Sequence, residues 1–316
     1  VLCTNCMKCG VVGAGVSGLT CAIRLLQQGH KVTIYSDKFS PDTVSDVAAA
    51  VWYPFLTNPI KKTNKWGLET YHELTKMSLI HPESGIKIRK GREYLRKYSE
   101  PPGWSIGING FRILEECELI GEYVFGWEFD SPVIQMNLYM PWLKSKLERL
   151  GCKFIKKNLI ELNDIEEKIV INCVGLGARQ LCDDYNVRPI RGQVIYLKQD
   201  PVIGRYDQQP ETLTYTIPRN DVTVLGGTAQ LDDWSLEIRD EDTEEILKRC
   251  ASLWPELDRN KIVGMAVGLR PSRNEVRLEI EKISNKLVIH NYGHGGSGVT
   301  LSWGCANEVV KLLNDN

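Results

Sequence analysis

The run Gly13-Ala14-Gly15-Val16-Ser17-Gly18 has the form G-x-G-x-x-G, and its surroundings leave few folds open to the chain. An apolar strand, Cys9–Val12, precedes it. A helix pattern, Ser17–Gln28, follows it with Leu19, Ala22, Ile23 and Leu26 on one face, and Lys31–Tyr35 reads as a second strand. This is a βαβ unit. In such a unit the first glycine allows a tight turn, the second admits a pyrophosphate against bare backbone, and the third lets helix and strand pack closely. The helix N-terminus adds unpaired N–H groups and partial positive charge. Asp37, just past the second strand, is placed to accept hydrogen bonds from an adenosine ribose. The motif alone does not separate FAD from NAD.

A second feature separates them. His290–Thr300 places Gly293, Gly295, Gly296 and Gly298 between a strand, Lys286–Asn291, and a closing helix, Val299–Leu313. A second helix N-terminus with bare backbone therefore faces the ligand. Such an end stabilises the negative charge that develops on a reduced flavin ring, a need that a nicotinamide enzyme lacks.

The 316 residues exceed the usual size of one core, so a second domain is expected. The nucleotide-domain pattern returns in a helix at Tyr139–Leu150 and strands at Cys152–Ile155 and Ile169–Val174. Strands at Gly192–Leu197, Thr212–Ile217, Thr223–Gly226 and Gly264–Leu269, with an acidic helix at Asp240–Leu253, form the other part. The expected fold is α/β: a Rossmann-like FAD-binding domain (7–52, 139–187 and 284–316) interleaved with a mostly antiparallel substrate-binding domain (53–138 and 188–283). The connection from Ser36 to about Pro59 is longer than a turn needs, which points to ligand contact.

With 42% hydrophobic and 25% charged residues and a net charge of -1, nothing indicates nucleic acid. No run approaches the roughly 18 apolar residues of a membrane span. Val1–Lys8 lacks the apolar core of a secretory signal, so an intracellular protein is expected, and the end Asn314-Asp315-Asn316 carries no Ser-Lys-Leu-type peroxisomal address. Residues 1–6 read as an extension of unknown origin. The ten cysteines are scattered, as for reduced thiols in a cytoplasmic or peroxisomal pool. Cys3-x-x-Cys6-x-x-Cys9 superficially suggests a metal site, but no fourth cysteine follows nearby and Cys9 belongs to a buried strand; no metal is expected.

Arg270, in Gly268-Leu269-Arg270-Pro271, ends an apolar strand, where a guanidinium is either ion-paired within the protein or presented to a carboxylate ligand. Tyr215 alternates with Leu213 and Ile217 and is read first as a packed side chain. His81, His290 and His294 show no metal-ligand spacing.

Taken together, these segments resemble the D-amino acid oxidase and D-aspartate oxidase family of flavoproteins over nearly the whole length. The resemblance is carried by Val11–Leu19, Asp37–Thr43 with Asp46–Ala49, Asn172–Gly175, Arg191–Val194, Leu225–Thr228, Gly268–Pro271 and His290–Gly296. It implies that Arg270 and Tyr215 bind the substrate α-carboxylate and that the Gly296 carbonyl receives the amine. It also places the cofactor against Gly13, Ala14, Gly15, Val16, Ser17 and Gly18, then Asp37, Lys38, Thr43, Val44 and Ser45. Ala49, Ala50, Val51, Leu159, Val174 and Gly175 continue this lining, which closes with Arg270, Gly295, Gly296, Gly298, Val299 and Thr300. The implied reaction moves the Cα hydrogen as hydride to flavin N5. The imino acid then hydrolyses to a 2-oxo acid and ammonia, and dioxygen is reduced to hydrogen peroxide. A homodimer is compatible with the resemblance.

The chain departs from the family at Tyr53, where glutamine is common, at Ala50, where glycine is, and at Glu211, near the place of a lid tyrosine. Tyr53 and Glu211 join the expected substrate contacts, and Glu211 offers a charge to cationic substrates. Gln208 and Ala229 stand where D-aspartate oxidases would hold a second carboxylate with arginines. Neutral or broad-range D-amino acids are therefore expected. The alternatives are a D-aspartate oxidase, a glycine or sarcosine oxidase-type enzyme, and a nucleotide-binding protein without catalysis.

Overall fold

The computed structural model describes residues 6–55 and 57–316; Cys3, and with it most of the 1–6 extension, lies outside the described residues. The glycine turn does what its spacing requires. β1 (Lys8–Val12), α1 (Val16–Gln27) and β2 (Lys31–Ser36) form the βαβ unit, β1 and β2 pairing in parallel from Lys8↔Lys31 to Val12↔Tyr35. Gly13 has φ +104°, and a Cβ there would stand 2.4 Å from the Cys173 carbonyl oxygen. Any other residue would be both strained and obstructed. Cys9 is fully buried.

The chain continues through α2 (Ile60–Ile80), β3 (Ile86–Leu95), β4 (Arg112–Ile113), β5 (Phe125–Ile134), α3 (Met136–Arg149), β6 (Lys153–Lys156) and β7 (Ile169–Asn172). The remainder comprises α4 (Ala178–Leu181), β8 (Arg188–Leu197), β9 (Gly204–Asp207), β10 (Thr214–Pro218), β11 (Thr223–Gly226), β12 (Gln230–Leu231), α5 (Asp240–Leu253), β13 (Ile262–Ile283), β14 (Lys286–His294) and α6 (Gly298–Asn314). The strands join in one sheet, ordered β4-β5-β3-β9-β10-β11-β8-β13-β14-β7-β1-β2-β6, with β12 on β8. From β14 to β6 all neighbours are parallel; the rest are antiparallel except β3 with β9.

The two halves share β13. Sequence reading ends this strand near Arg270, but it runs 22 residues, pairing β8 through Ser272 and β14 from Arg277 to Ile283. Pro271 does not break it because Pro189 lies directly opposite, so both missing N–H groups fall on one rung of the ladder. Pro271 also holds Arg270 in extended backbone. β14 likewise continues past Asn291 into the start of the expected glycine loop, ending at His294.

The parallel half packs on α1, α3 and α6 through Ile23, Leu25, Leu143, Trp303 and Val309, all fully buried. Each such side chain contributes about 1.5–3 kcal/mol. On the antiparallel half, α5 covers the outer face with Ile246, Leu247 and Cys250 against Ile195, Leu197 and Leu225. Side chains on the opposite face of those strands are thereby left for a cavity. Among the described residues no helix is long and apolar enough to cross a membrane.

Candidate active site

A cavity of about 510 Å³ runs from the glycine turn to the antiparallel roof. At the first end Gly13, Ala14, Gly15, Val16 and Ser17 line it, with Asp37 and Lys38 past β2. Ser45 reaches back to accept the Val16 N–H on Oγ at 3.0 Å. Its own loop is braced by Asp46, whose carboxylate takes Ser40 Oγ at 2.5 Å, Thr43 Oγ1 at 2.5 Å and Thr43 N at 3.0 Å. Thr43, Val44, Ser45, Ala49, Ala50 and Val51 thus form a fixed wall, completed by Leu159, Val174 and Gly175. Ala50 has φ +61°, so this chain places a Cβ in the left-handed region that favours glycine.

At the second end the register decides which side chains share a face. Ala266, Val194, Gly226, Tyr215, Tyr206, Glu93 and Trp127 lie one per strand across β13, β8, β11, β10, β9, β3 and β5. Arg270, two rungs of alternation from Ala266, points the same way. Its guanidinium lies flat across Gly192, where a Cβ would stand 2.3 Å from Nη1, and donates to the Thr228 carbonyl at 2.8 Å. The Tyr215 ring lies across Gly226, where a Cβ would meet Cζ at 2.0 Å. These two glycines are missing side chains that make room for two others.

Arg270 forms no ion pair among the described residues, although it lines the cavity with Tyr215. Burial pushes the Tyr215 phenol up while the Arg270 charge pulls it back, so the hydroxyl stays protonated and able to donate. From below, Gly296 closes the site: a Cβ on it would be 3.5 Å from Arg270 Cδ and 3.0 Å from Phe55. Gly295, Gly298, Val299 and Thr300 line the same end at the start of α6, and Tyr53 forms a side wall.

Two expected contacts fall outside the cavity. Gly18 does not line it, because the position serves packing: a Cβ there would lie 1.9 Å from the Gly13 carbonyl oxygen. Glu211 is exposed and absent from the lining, while Gln208, earlier in the same loop, is present. The loop folds this way because Asp207 holds it, accepting Gln209 N at 3.1 Å and Thr212 Oγ1 at 2.9 Å. His294 enters the lining although its spacing suggested nothing. Burial pushes its imidazole down to about 4, so it is neutral at pH 7, and its Nε2 lies 2.9 Å from Asn291 Oδ1. An amide oxygen only accepts, so His294 donates from Nε2.

The donor set fits a dinucleotide carrying a ring at one end. Glycine backbone lies at both ends of the cavity, and neither Gly15 nor Ser297, the residues that open α1 and α6, caps its helix with its own side chain, although Ser45 Oγ takes the Val16 N–H of α1. Lys38 and Lys157 supply positive charge near the glycine turn, and apolar Val51, Val194, Leu213, Ile217 and Val299 surround the other end. The close fit of Tyr215 on the roof gives a direct test of the site. Gly226→Ala is expected to lower apparent substrate affinity roughly tenfold to a hundredfold, as expected for 1–3 kcal/mol of overpacking, while bound flavin absorbance stays unchanged. Unaltered substrate affinity would show that Tyr215 is not a contact.

Residues 8–312 match the FAD dependent oxidoreductase family. The chain is similar to the D-amino-acid oxidase of Dictyostelium discoideum, 40% identical over 96% of this chain and 90% of that protein. It is 36% identical to the D-aspartate oxidase of Homo sapiens, over 98% of this chain and 95% of that protein. The crystal structure of glycine oxidase from Bacillus cereus superposes with a TM-score of 0.79 at 16% identity, covering 98% of this chain and 95% of that one, which shows a shared fold.

Proposed function

Because the chain belongs to the FAD dependent oxidoreductase family, we propose that it is a D-amino acid oxidase acting on neutral side chains. The observation that carries this reading is Arg270. It is a cation on a largely apolar-walled cavity with no protein counter-ion among the described residues, within reach of Tyr215 and Gly296. A guanidinium so placed matches a carboxylate in two parallel hydrogen bonds. Tyr215 adds a third donor to that carboxylate, and the Gly296 carbonyl accepts from the substrate amine.

Three fixed points orient Cα, which leaves one face toward the ring end of the cavity. FAD, when bound, supplies the acceptor for the hydride that leaves Cα. The amine loses a proton, the resulting imino acid takes up water to give a 2-oxo acid and ammonia, and dioxygen is the proposed final oxidant, leaving as hydrogen peroxide. The chain's own contribution is orientation and exclusion of water by Val51, Leu213, Ile217 and Phe55. Nine unpaired thiols among the described cysteines support a reducing compartment, peroxisomal or cytoplasmic.

Side-chain preference follows from charge. The cationic residues lining the cavity are Lys38 and Lys157 at the nucleotide end and Arg270 at the roof. Arg270 is committed to the α-carboxylate. A second substrate carboxylate would be buried without a partner at a cost of about 2–3 kcal/mol, roughly 30- to 150-fold in kcat/KM. D-alanine, D-methionine and D-phenylalanine should therefore bleach the visible flavin bands anaerobically, with D-aspartate at least tenfold slower. Faster turnover of D-aspartate would reverse the substrate class. Reaction confined to glycine or sarcosine would move the enzyme to the amine oxidases of that kind, and no bleaching by any amine would refute catalysis of this type.

A further inference from the structure

The cavity has a wall whose position is set from outside it. Tyr53 leaves the floor of the site with its backbone tied to the first turn of α6: its N–H donates to Thr300 Oγ1 at 3.2 Å, and that hydroxyl donates to the Tyr53 carbonyl at 3.0 Å. Its hydroxyl reaches the roof, where it meets both oxygens of Glu93 at 2.9 and 2.8 Å. The ring between these anchors lines the cavity, packed edge-on against Trp104 at 5.4 Å and tilted against Phe129 at 6.4 Å.

Glu93 is built for this contact and for little else. It lies on β3 two strands beyond Tyr215, on the same face of the sheet, and is 2% exposed. Its carboxylate is held by two neutral donors, Tyr53 and the Trp127 indole N–H at 2.7 Å; among the described residues no cation pairs with it. A buried acid without a cation is costly, which makes a purely stabilising role a poor account of it.

Resting on the proposed D-amino acid oxidation, the geometry points to Glu93 as a positioning residue. The Glu93–Tyr53 hydrogen bond pins the ring as the far wall of the substrate pocket and so limits the size of the side chain that is admitted. With the carboxylate held at Arg270 and Tyr215 and the amine at Gly296, the third substituent on Cα faces the walls that remain, Tyr53 and Leu213 among them. Released from Glu93, the ring keeps its backbone anchor but loses its upper one. It can then rotate about χ1 and yield depth to a longer substrate. Glutamine at position 93 offers an oxygen to Trp127 and an amide N–H to the Tyr53 oxygen, so it can preserve the strut without charge.

The experiment compares kcat and KM for D-alanine and D-phenylalanine in the wild-type holoenzyme and four variants. In Tyr53→Phe and Glu93→Ala the ratio of kcat/KM for D-phenylalanine to that for D-alanine should rise at least fivefold, carried by KM. Glu93→Gln should keep the ratio within twofold of wild type, and the Tyr53→Phe/Glu93→Ala double variant should shift it no further than either single one. An unchanged ratio in Tyr53→Phe, or additive shifts in the double variant, would overturn the strut. If Glu93→Ala fails to retain flavin, Tyr53→Phe decides alone. A wild-type enzyme inactive on every D-amino acid would overturn the functional reading itself, a result distinct from an active enzyme with an unmoved ratio.

Discussion

Arg270→Ala is expected to reduce kcat/KM for D-alanine by roughly two to four orders of magnitude while leaving flavin content unchanged. Removing one partner from a buried charge pair costs about 3–5 kcal/mol, because the remaining charge keeps its desolvation without compensation. Most of the loss should appear in KM, since in the proposed binding mode the guanidinium would contact the carboxylate before and during reaction alike. Part should appear in kcat, since Tyr215 and Gly296 alone leave Cα free to swing. Arg270→Lys should recover only a fraction: an ammonium cannot lie flat across Gly192, hold the Thr228 carbonyl at 2.8 Å and present two parallel donors together. Steady-state kinetics with the visible flavin spectrum as an internal control make the measurement. A KM like that of the wild type in Arg270→Ala would remove the central residue of the proposed site.

The parts of this protein legible from its sequence are those whose determinants are local. The turn and helix start from Val12 to Gly18 are written in three glycines, and the strands on either side in short apolar runs. The length of the connection after Ser36 points to ligand contact, and Asp37, Thr43, Ser45 and Val51 line the cavity. What stayed hidden depends on which strands are neighbours. By its local sequence alone Arg270 reads equally as ion-paired or ligand-binding, and only the resemblance favours the second; beside β8, Gly192 receives its guanidinium and no carboxylate pairs with it among the described residues. Pro271 suggested a strand end because its partner Pro189 lies 82 positions earlier. Glu93 gave no signal at all: on β3 it alternates among Arg92 and Tyr94 like any mixed strand, and only pairing with β5 and β9 brings it under Trp127 and toward Tyr53. His294 carries no ligand spacing, and spacing is blind to a neutral, buried imidazole.

The second large effect is expected at Gly18, the position in the opening motif that does not touch the cavity. In a solvent-facing helix, alanine in place of glycine stabilises by about 0.8–1 kcal/mol. Here the new Cβ would stand 1.9 Å from the Gly13 carbonyl oxygen, 3.0 Å from its carbon and 3.5 Å from Val11 Cγ1. Backbone rather than a flexible side chain is the obstacle, so α1 and the turn must separate. Overpacking of this kind costs about 1–3 kcal/mol or more, which outweighs the helix-propensity gain. For a chain of this size that corresponds to a fall in Tm of roughly 2–10 °C. The separation also displaces Gly13 and Gly15 from the cavity wall they form, and with it the bond from the Gly13 N–H to the Tyr35 carbonyl, so FAD affinity should fall at least tenfold in a fluorescence titration. Gly15→Ala is the control that separates the two roles. Its Cβ would meet only Ser45 Oγ at 3.1 Å, a side-chain atom that has to give by a few tenths of an ångström rather than a backbone atom, and Gly15 lines the cavity. That variant should lose FAD affinity while the apoprotein keeps its Tm. Equal losses of Tm in both variants would mean that the turn acts as one rigid unit, with packing and ligand contact inseparable in it.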